Sequence, residues 1–362
     1  MISKFIFLFL VLFNLGSVYA AQTNDLYKEQ TVLPSAMAEQ SLLEDAFSES
    51  VEKVLVRVSG RADRIKGDVL AQAKKNAPAW VSQHSIVDLG ELKLFGDERL
   101  PAKQVTVSFY PQSIDRFLSE NALPVWGSNR PSVLLWLVED HAGVRSMSGA
   151  LSPSDLLRAV SLQAKEAGLA IYAPLLDDVD KGALTTGEAW GLFEDAIRSA
   201  SKRYETDTVL VVRVSEFAGK VSAQANLLLP DTQSESLPLS SAEAEGVAVD
   251  VVSKLAKSFS DRYASIQGVD ANSIALLDVD GIKTFEAVKQ VERYLNSIGV
   301  VNGAQVSAVD GARVSFKVKV NGSKQKLRDS ISLGHVISRL DVGALEPGAN
   351  TIEFYKFNGV NK

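Results

Sequence analysis

The sequence of 362 residues contains no cysteine and only three histidines. The chain therefore cannot form a disulfide, use a catalytic thiol or bind a metal ion through cysteine. His84, His141 and His335 stand far apart in the sequence, and none belongs to a metal-ligand or catalytic-triad motif. P-loop, GxGxxG and GxSxG motifs are also absent. These absences favour a protein that is not an enzyme and carries no cofactor.

The balance of charge is acidic, with a formal net charge of −6 at pH 7. An acidic chain is a poor partner for nucleic acid or for an anionic membrane surface. The content of 46% hydrophobic and 23% charged residues is typical of a globular protein. A chain of this length predicts two or three domains, because a single hydrophobic core rarely grows so large.

The first 20 residues predict a signal peptide. Lys4 precedes an unbroken apolar run, Phe5 to Phe13, and Val18-Tyr19-Ala20 has the small residues of a cleavage site. Cleavage before Ala21 would remove Lys4 and bring the net charge from −6 to −7. The apolar run is too short for a transmembrane span, and no cysteine follows it to carry a lipid. We therefore expect a periplasmic protein with no lipid anchor and no transmembrane segment after cleavage.

A long amphipathic helix is predicted to organise the first domain, residues 21–123. Apolar residues recur at spacings of three and four between Leu43 and Val58, and Gly60 supplies the stop. The remaining pattern predicts an α+β domain. Its expected elements are a strand over 26–33, helices over 36–58 and 68–76, strands over 85–95 and 104–110 joined by a polar loop, and a helix from Pro111 to about Asn121.

Two further domains are expected beyond a connector, residues 123–131, which has a proline near each end, Pro124 and Pro131. The apolar run Val133 to Val138 predicts a strand covered on both faces, in a middle α/β domain over residues 131–265. A third domain, residues 272–357, shows a β-α-β-β-α order with an Asp310-Gly311 hairpin turn, which predicts a split βαβ-like unit. The fold class is therefore α/β and α+β, with three small units in one chain.

Four segments carry a resemblance to a known family: VLVRVSGR (54–61), PSVLLWLVED (131–140), APLLDDVD (173–180) and AWGLFEDAIRSASKRYETDTVLVVRV (189–214). They resemble the family called domain of unknown function 2066 (DUF2066), which consists of uncharacterised secreted gammaproteobacterial proteins. The resemblance covers residues 25–260 and implies a compartment but no site residues. The order of units also resembles the periplasmic flagellar assembly protein of the T type, which implies a middle unit like the N-terminal domain of TolB.

A basic cluster follows the long helix, and Arg57, Arg61 and Arg64 are its candidate partner-binding residues. Cations at a helix C-terminus stabilise the helix without any ligand, whereas an acidic protein face or a cell-wall carboxylate is the functional alternative. Trp126, in the connector, is the fourth candidate. It is expected either to plug the space between domains or to contact a partner from an exposed position.

The only candidate metal ligands are the carboxylates of Asp177, Asp178 and Asp180, which stand close together in a predicted loop. The spacing does not fit an EF-hand, and acidic residues before a helix also stabilise its N-terminus. The leading hypothesis is a non-enzymatic binding or assembly accessory protein of the bacterial cell envelope. Its alternatives are an ion-dependent envelope hydrolase using these carboxylates, and a binder of cell-wall fragments in a cleft near Trp126. The expected partner, an envelope protein or a cell-wall component, is not identified by the sequence.

Overall fold

The computed structural model describes residues 26–230, 234–241, 243–266, 272–340 and 352–359. The predicted signal peptide lies outside these ranges. The described chain forms three separate β-sheets, each packed with helices, which confirms the expected α/β and α+β architecture with several units. Among the described helices, none has the combined length and apolarity that a membrane crossing requires.

The first unit packs a three-stranded antiparallel sheet, in the order β1-β3-β2, against helix α1. The predicted apolar stripe of α1 is present, because Val51, Val54, Leu55 and Val58 are fully buried. The elements are β1 (Lys28–Pro34), α1 (Glu39–Ser59), α2 (Gly67–Trp80), β2 (Val81–Phe95), β3 (Glu98–Phe109) and α3 (Pro111–Glu120).

Three boundaries in this unit differ by four or more residues from the sequence prediction, and the first is the start of β2, at Val81 instead of residue 85. Helix α2 does not stop before Pro78 but continues through it to Trp80. Proline at this position removes a single hydrogen-bond donor from the last turn, so the helix tolerates it there. The segment predicted as a polar loop, residues 96–103, is mostly strand, because β3 begins at Glu98. Only Gly96 and Asp97 form the turn of the hairpin.

The second unit has a mixed sheet in the order β5-β4-β7-β8-β9, with β6 also paired to β4. Strand β4 is covered on both faces, as predicted: Leu135 and Leu137 join one apolar cluster, whereas Leu134 and Trp136 join another. The elements are β4 (Ser132–His141), β5 (Val144–Ser148), α4 (Asp155–Glu166), β6 (Ala170–Tyr172), α5 (Asp178–Ala183), α6 (Thr186–Trp190), α7 (Glu194–Ser201), β7 (Thr208–Phe217), β8 (Lys220–Leu228), β9 (Ser234–Leu237) and α8 (Ala244–Tyr263).

The amphipathic pattern of residues 188–204 predicts a single helix, but the structure does not form one. The segment divides into α6 and α7, with Leu192 between them in a left-handed backbone conformation at φ 55°. Thr185 and Glu188 form a capping box at the start of α6. Because a capping box satisfies the free N–H groups of a first turn, α6 begins as an independent helix.

The third unit shows the expected β-α-β-β-α order, with its strands arranged β11-β12-β10-β14-β13. The last strand, Ile352–Phe357, lies between β10 and β13 and is therefore not the edge strand that its terminal position suggests. The elements are β10 (Asn272–Asp280), α9 (Phe285–Ser297), β11 (Val301–Asp310), β12 (Arg313–Asn321), α10 (Lys324–Ser332), β13 (Ile337–Arg339) and β14 (Ile352–Phe357).

Candidate functional site

The C-terminus of α1 is the point where the first two units meet. Gly60 caps the helix in the left-handed conformation, at φ 65°, and its N–H donates to the carbonyl of Val56. A Cβ on Gly60 would lie 2.8 Å from Cβ of Ser260 and 2.9 Å from the carbonyl oxygen of Ala256, both on α8. Position 60 therefore requires glycine for two reasons: the left-handed backbone conformation and the close approach of α8.

Arg57 is buried beneath this contact and does not face solvent. Its guanidinium forms an ion pair with Glu29 and donates to the main-chain carbonyls of Lys28 at 2.7 Å and of Glu166 at 2.8 Å. These bonds tie α1 to β1 and to the last turn of α4. Arg57 is therefore a structural residue of the joint, and the proposed role in direct partner binding does not fit its position.

Arg130 joins the same elements from the connector. Its guanidinium donates to the main-chain carbonyls of Arg57 at 2.7 Å, Ala167 at 3.0 Å, Gly127 at 3.1 Å and Trp126 at 3.1 Å. Helix C-terminal carbonyls have no partner within the helix and favour a nearby cation. Desolvation and the charge of Arg57 lower the pKa of Arg130 to about 9, so it stays protonated at neutral pH.

Trp126 fills the interior of this joint and is only 1% exposed. Its main-chain N–H donates to the carbonyl of Val58 at 2.8 Å, its ring centre lies 6.0 Å from that of Phe259, and the Arg130 guanidinium lies 4.1 Å from the indole ring centre. Of the two expectations for Trp126, the interdomain plug describes its position, and the exposed partner contact does not. Its indole Nε1 has no hydrogen-bond partner among the described residues.

The other two arginines of the predicted basic cluster differ from each other. Arg61 is held by carboxylates, with Asp63 at 2.9 Å and Asp261 at 3.2 Å, and the hydrogen bond that Arg61 donates to Asp63 raises the pKa of Arg61. Arg64 is exposed and forms no ion pair within the described part of the chain. The structure does not bring Arg57, Arg61 and Arg64 together as one cationic surface, because two of them are already neutralised by acids.

Two of the three candidate metal ligands already form ion pairs within the protein. Asp177 is the N-cap of α5 and pairs with Arg203 at 2.7 Å, and this hydrogen bond holds the pKa of Asp177 well below its usual range. The buried Asp180 accepts from Arg203 at 2.9 Å and from the hydroxyl of Tyr204. Asp178 is exposed beside them. Arg203 therefore occupies the place that a metal ion would take between these carboxylates. Among the described residues, no cluster of three or more His, Asp or Glu side chains could hold a metal ion.

A groove of about 320 Å³ lies where α1, α4 and α8 meet, at the junction of the first two units. It corresponds in place to the cleft expected for cell-wall fragments, but the buried Trp126 contributes nothing to its described lining. Its lining combines small and apolar residues with three glutamates and one lysine. Its described lining comprises Glu49, Glu52, Lys53, Val56, Gly60, Ala62, Gln163, Glu166, Ala167, Val252, Ser253 and Ala256.

The most prominent exposed feature is the hairpin formed by β2 and β3. Its last pairs, from Leu92 with Pro101 to Phe95 with Glu98, extend past the end of β1, whose last pair joins Pro34 to Ala102. At about 3.3 Å per residue, this two-stranded extension is about 13 Å long. The sequence predicts no such extension, because the segment 96–103 is polar and is typical of a loop. The available signal was the two-residue Gly-Asp turn between alternating runs.

Apolar side chains are exposed along this hairpin. Val87 is 52% exposed, Leu92 59% and Leu94 67%. A bulge separates Val87 from the other two: the register shifts between Asp88 and Leu92, and the Asp88 carboxylate accepts from the N–H of Gly90 at 2.9 Å. Bulges increase the local twist of a strand pair. The bulge therefore changes the direction of the hairpin just before its tip.

Comparison with known proteins gives one match, over the first unit. Residues 20–127 match a family model described as a domain of unknown function, DUF8605. This is a different family from DUF2066, so the resemblance inferred from the four sequence segments was wrong. No curated protein and no solved structure matches the chain. The matched range contains β1 to α3 and ends at Gly127 in the connector.

Proposed function

We propose that this protein is a periplasmic, non-enzymatic binding or assembly accessory protein of the bacterial cell envelope, and that it binds an envelope protein through β2. The observation that carries the proposal is the free edge of β2. This strand runs for 15 residues at the edge of its sheet, and β3 is its only partner among the described strands.

A free strand edge presents unpaired N–H and C=O groups that an extended segment of another chain can pair with. Main-chain pairing supplies affinity, and exposed side chains next to the edge supply specificity. Leu92 and Leu94 lie on one face at the tip, because residues two apart in a strand point the same way. The partner expected here is therefore an extended protein segment with apolar side chains at alternate positions.

The alternative of an ion-dependent hydrolase has less support. Two of its three nominated carboxylates, Asp177 and Asp180, are bound by Arg203, and Asp178 is exposed. The histidines do not supply a replacement: His84 packs against Phe47, His141 lies 3.5 Å from Glu216, and His335 is exposed in the third unit. The periplasmic location rests on the sequence of residues 1–20 and on the absence of cysteine, which suits an oxidising compartment.

A site-specific crosslinking experiment tests the proposal. A photoreactive amino acid is placed at Leu94 in the tagged full chain, and crosslinked products are isolated from cells and mapped by mass spectrometry. The matched control position is Phe217, which is 71% exposed beside the β7–β8 turn. We expect a specific product from Leu94 that joins β2 to one extended segment of an envelope protein, and none from Phe217.

Variants make the result decisive. Leu92→Asp combined with Leu94→Asp should abolish the crosslink from a probe at Val87, whereas Phe217→Asp should leave it unchanged. Circular dichroism should show the same fold for both, since all three side chains are exposed. Equal labelling from Leu94 and Phe217 would contradict the proposal. A crosslink from Leu94 to a second copy of this chain would instead identify β2 as a dimer contact.

A further inference from the structure

A second cavity, of about 590 Å³, lies between the second and third units. Its walls come from the end of α8, from α10 and from β13 with β14. This volume is within the range of small-molecule sites, about 300–1,000 Å³. The described lining comprises Leu229, Pro230, Arg262, Tyr263, Gln325, Arg328, Asp329, Ile331, Ser332, Gly334, His335, Ile337, Ser338, Arg339, Tyr355 and Asn358.

Cations dominate this lining although the chain as a whole is acidic. The described lining contains three arginines, Arg262, Arg328 and Arg339, and one carboxylate, Asp329. The side chain of Asp329 is already engaged, since its carboxylate accepts from Gln325 at 2.7 Å.

One of the three arginines, Arg328, already forms an ion pair with a carboxylate of the protein. Arg328 donates to the buried carboxylate of Glu353 at 3.0 Å, and the other oxygen of Glu353 accepts from the hydroxyl of Tyr355 at 2.8 Å. Both oxygens of Glu353 are therefore occupied. Arg328 also donates to Gln325 at 3.1 Å, which fixes the direction of its guanidinium.

The other two arginines have no such partner. Arg262 is half-buried at the end of α8, Arg339 is exposed on β13, and neither forms an ion pair or side-chain hydrogen bond with any described residue. Burial and Glu353 raise the pKa of Tyr355, while Arg339 and Arg328 act against this increase, which places both charges near the Tyr355 hydroxyl. Among the described residues, two guanidinium groups without a carboxylate partner thus line one cavity from opposite units.

We propose that this cavity binds a small ligand carrying at least two oxyanion charges, either a polycarboxylate or a phosphate compound, held between Arg262 and Arg339. Guanidinium groups present paired N–H donors that match carboxylate and phosphate oxygens. Ser332, Ser338 and Asn358 also belong to the lining, and their side chains are held in place by hydrogen bonds within the protein. The proposal does not depend on the β2 edge, which lies in another unit.

Isothermal titration of the full mature chain with citrate and, separately, with inorganic phosphate tests the proposal and distinguishes the two ligand types. We expect saturable binding of one of them that weakens as salt is added, because charged contacts are screened. Arg262→Gln combined with Arg339→Gln should weaken binding by about tenfold or more, as expected for the loss of charged hydrogen bonds.

The matched control is Arg158→Gln combined with Arg293→Gln, which removes one exposed arginine from α4 and one from α9, outside the cavity. It should leave binding within about twofold of wild type. The single variant Arg339→Gln, at an exposed position, gives a second measurement if the double variant is unstable. Absence of saturable binding by either anion, or equal losses in the two double variants, would overturn the proposal.

Discussion

The guanidinium of Arg130 donates a 2.7 Å hydrogen bond to the main-chain carbonyl of Arg57, so a residue of the connector caps the last turn of α1. The same side chain reaches the carbonyl of Ala167 at the end of α4. Two helices from different units therefore share one cation. This contact explains why the connector, despite its two flanking prolines, is an ordered joint.

Replacing Arg130 by methionine should lower the free energy of unfolding by about 3 kcal/mol, because several carbonyls would lose their donor in a poorly hydrated site. Urea denaturation followed by circular dichroism provides the measurement. Arg130→Lys keeps the charge but loses the planar fork of donors. The stability of this variant should therefore lie between those of wild type and the methionine variant. A methionine variant as stable as wild type would show that water replaces these bonds at no net cost.

The ion pair between Arg57 and Glu29 gives a second prediction. Both side chains are buried, so Arg57→Leu should destabilise the protein by about 3–5 kcal/mol by leaving the Glu29 carboxylate poorly compensated. Adding Glu29→Leu should recover most of this loss, since two apolar side chains replace the pair. Arg64→Glu, at an exposed position, is the control and should change stability by about 0.5 kcal/mol or less. Additive effects of the two leucine substitutions would refute the coupling.

Gly60 and Gly67 form a natural pair for a third prediction. Both have positive φ, 65° and 57°, but only Gly60 is in close contact with α8, while the space around Gly67 is open. Gly67→Ala should therefore show only the backbone penalty, about 1 kcal/mol. Gly60→Ala should cost about 3 kcal/mol, because the new methyl group also collides with Ser260 and Ala256. Thermal or urea unfolding distinguishes them, and equal losses would exclude the steric contribution.

These contacts show which parts of the fold the sequence could predict. The stripe from Val51 to Val58 follows from helical periodicity, and β4 follows from an unbroken apolar run; both were predicted correctly. Gly60 as the stop of α1 also follows from its neighbours in the chain. The break at Leu192 was not predicted, because a non-glycine residue in the left-handed conformation leaves no local signal.

The candidate sites were harder to predict because they depend on distant parts of the chain. The sequence places Arg57 at a helix end, where a surface cation is expected. Its burial depends on the positions of Glu29 and of the end of α4, which the local sequence does not indicate. Asp177 and Asp180 read as free carboxylates until Arg203 is placed beside them. Likewise, Arg262 and Arg339 are 77 residues apart and share a cavity only because two units pack together.

The carboxyl group of Asp115 gives a prediction for pH dependence. Burial raises the pKa of Asp115 above its ordinary value of 3.8, although the hydroxyl of Tyr27 donates to it at 2.9 Å and partly opposes the shift. The folded state therefore binds this proton more tightly than the unfolded state, so this group's contribution to stability falls as pH rises from about 4 through its folded-state pKa. Asp115→Asn keeps an acceptor for Tyr27 and removes the charge. It should be more stable than wild type at pH 7, with a smaller difference at pH 4.5, as measured by urea unfolding at the two pH values. A constant difference between wild type and variant would mean that the Asp115 carboxyl is hydrated in the folded protein as fully as in the unfolded chain.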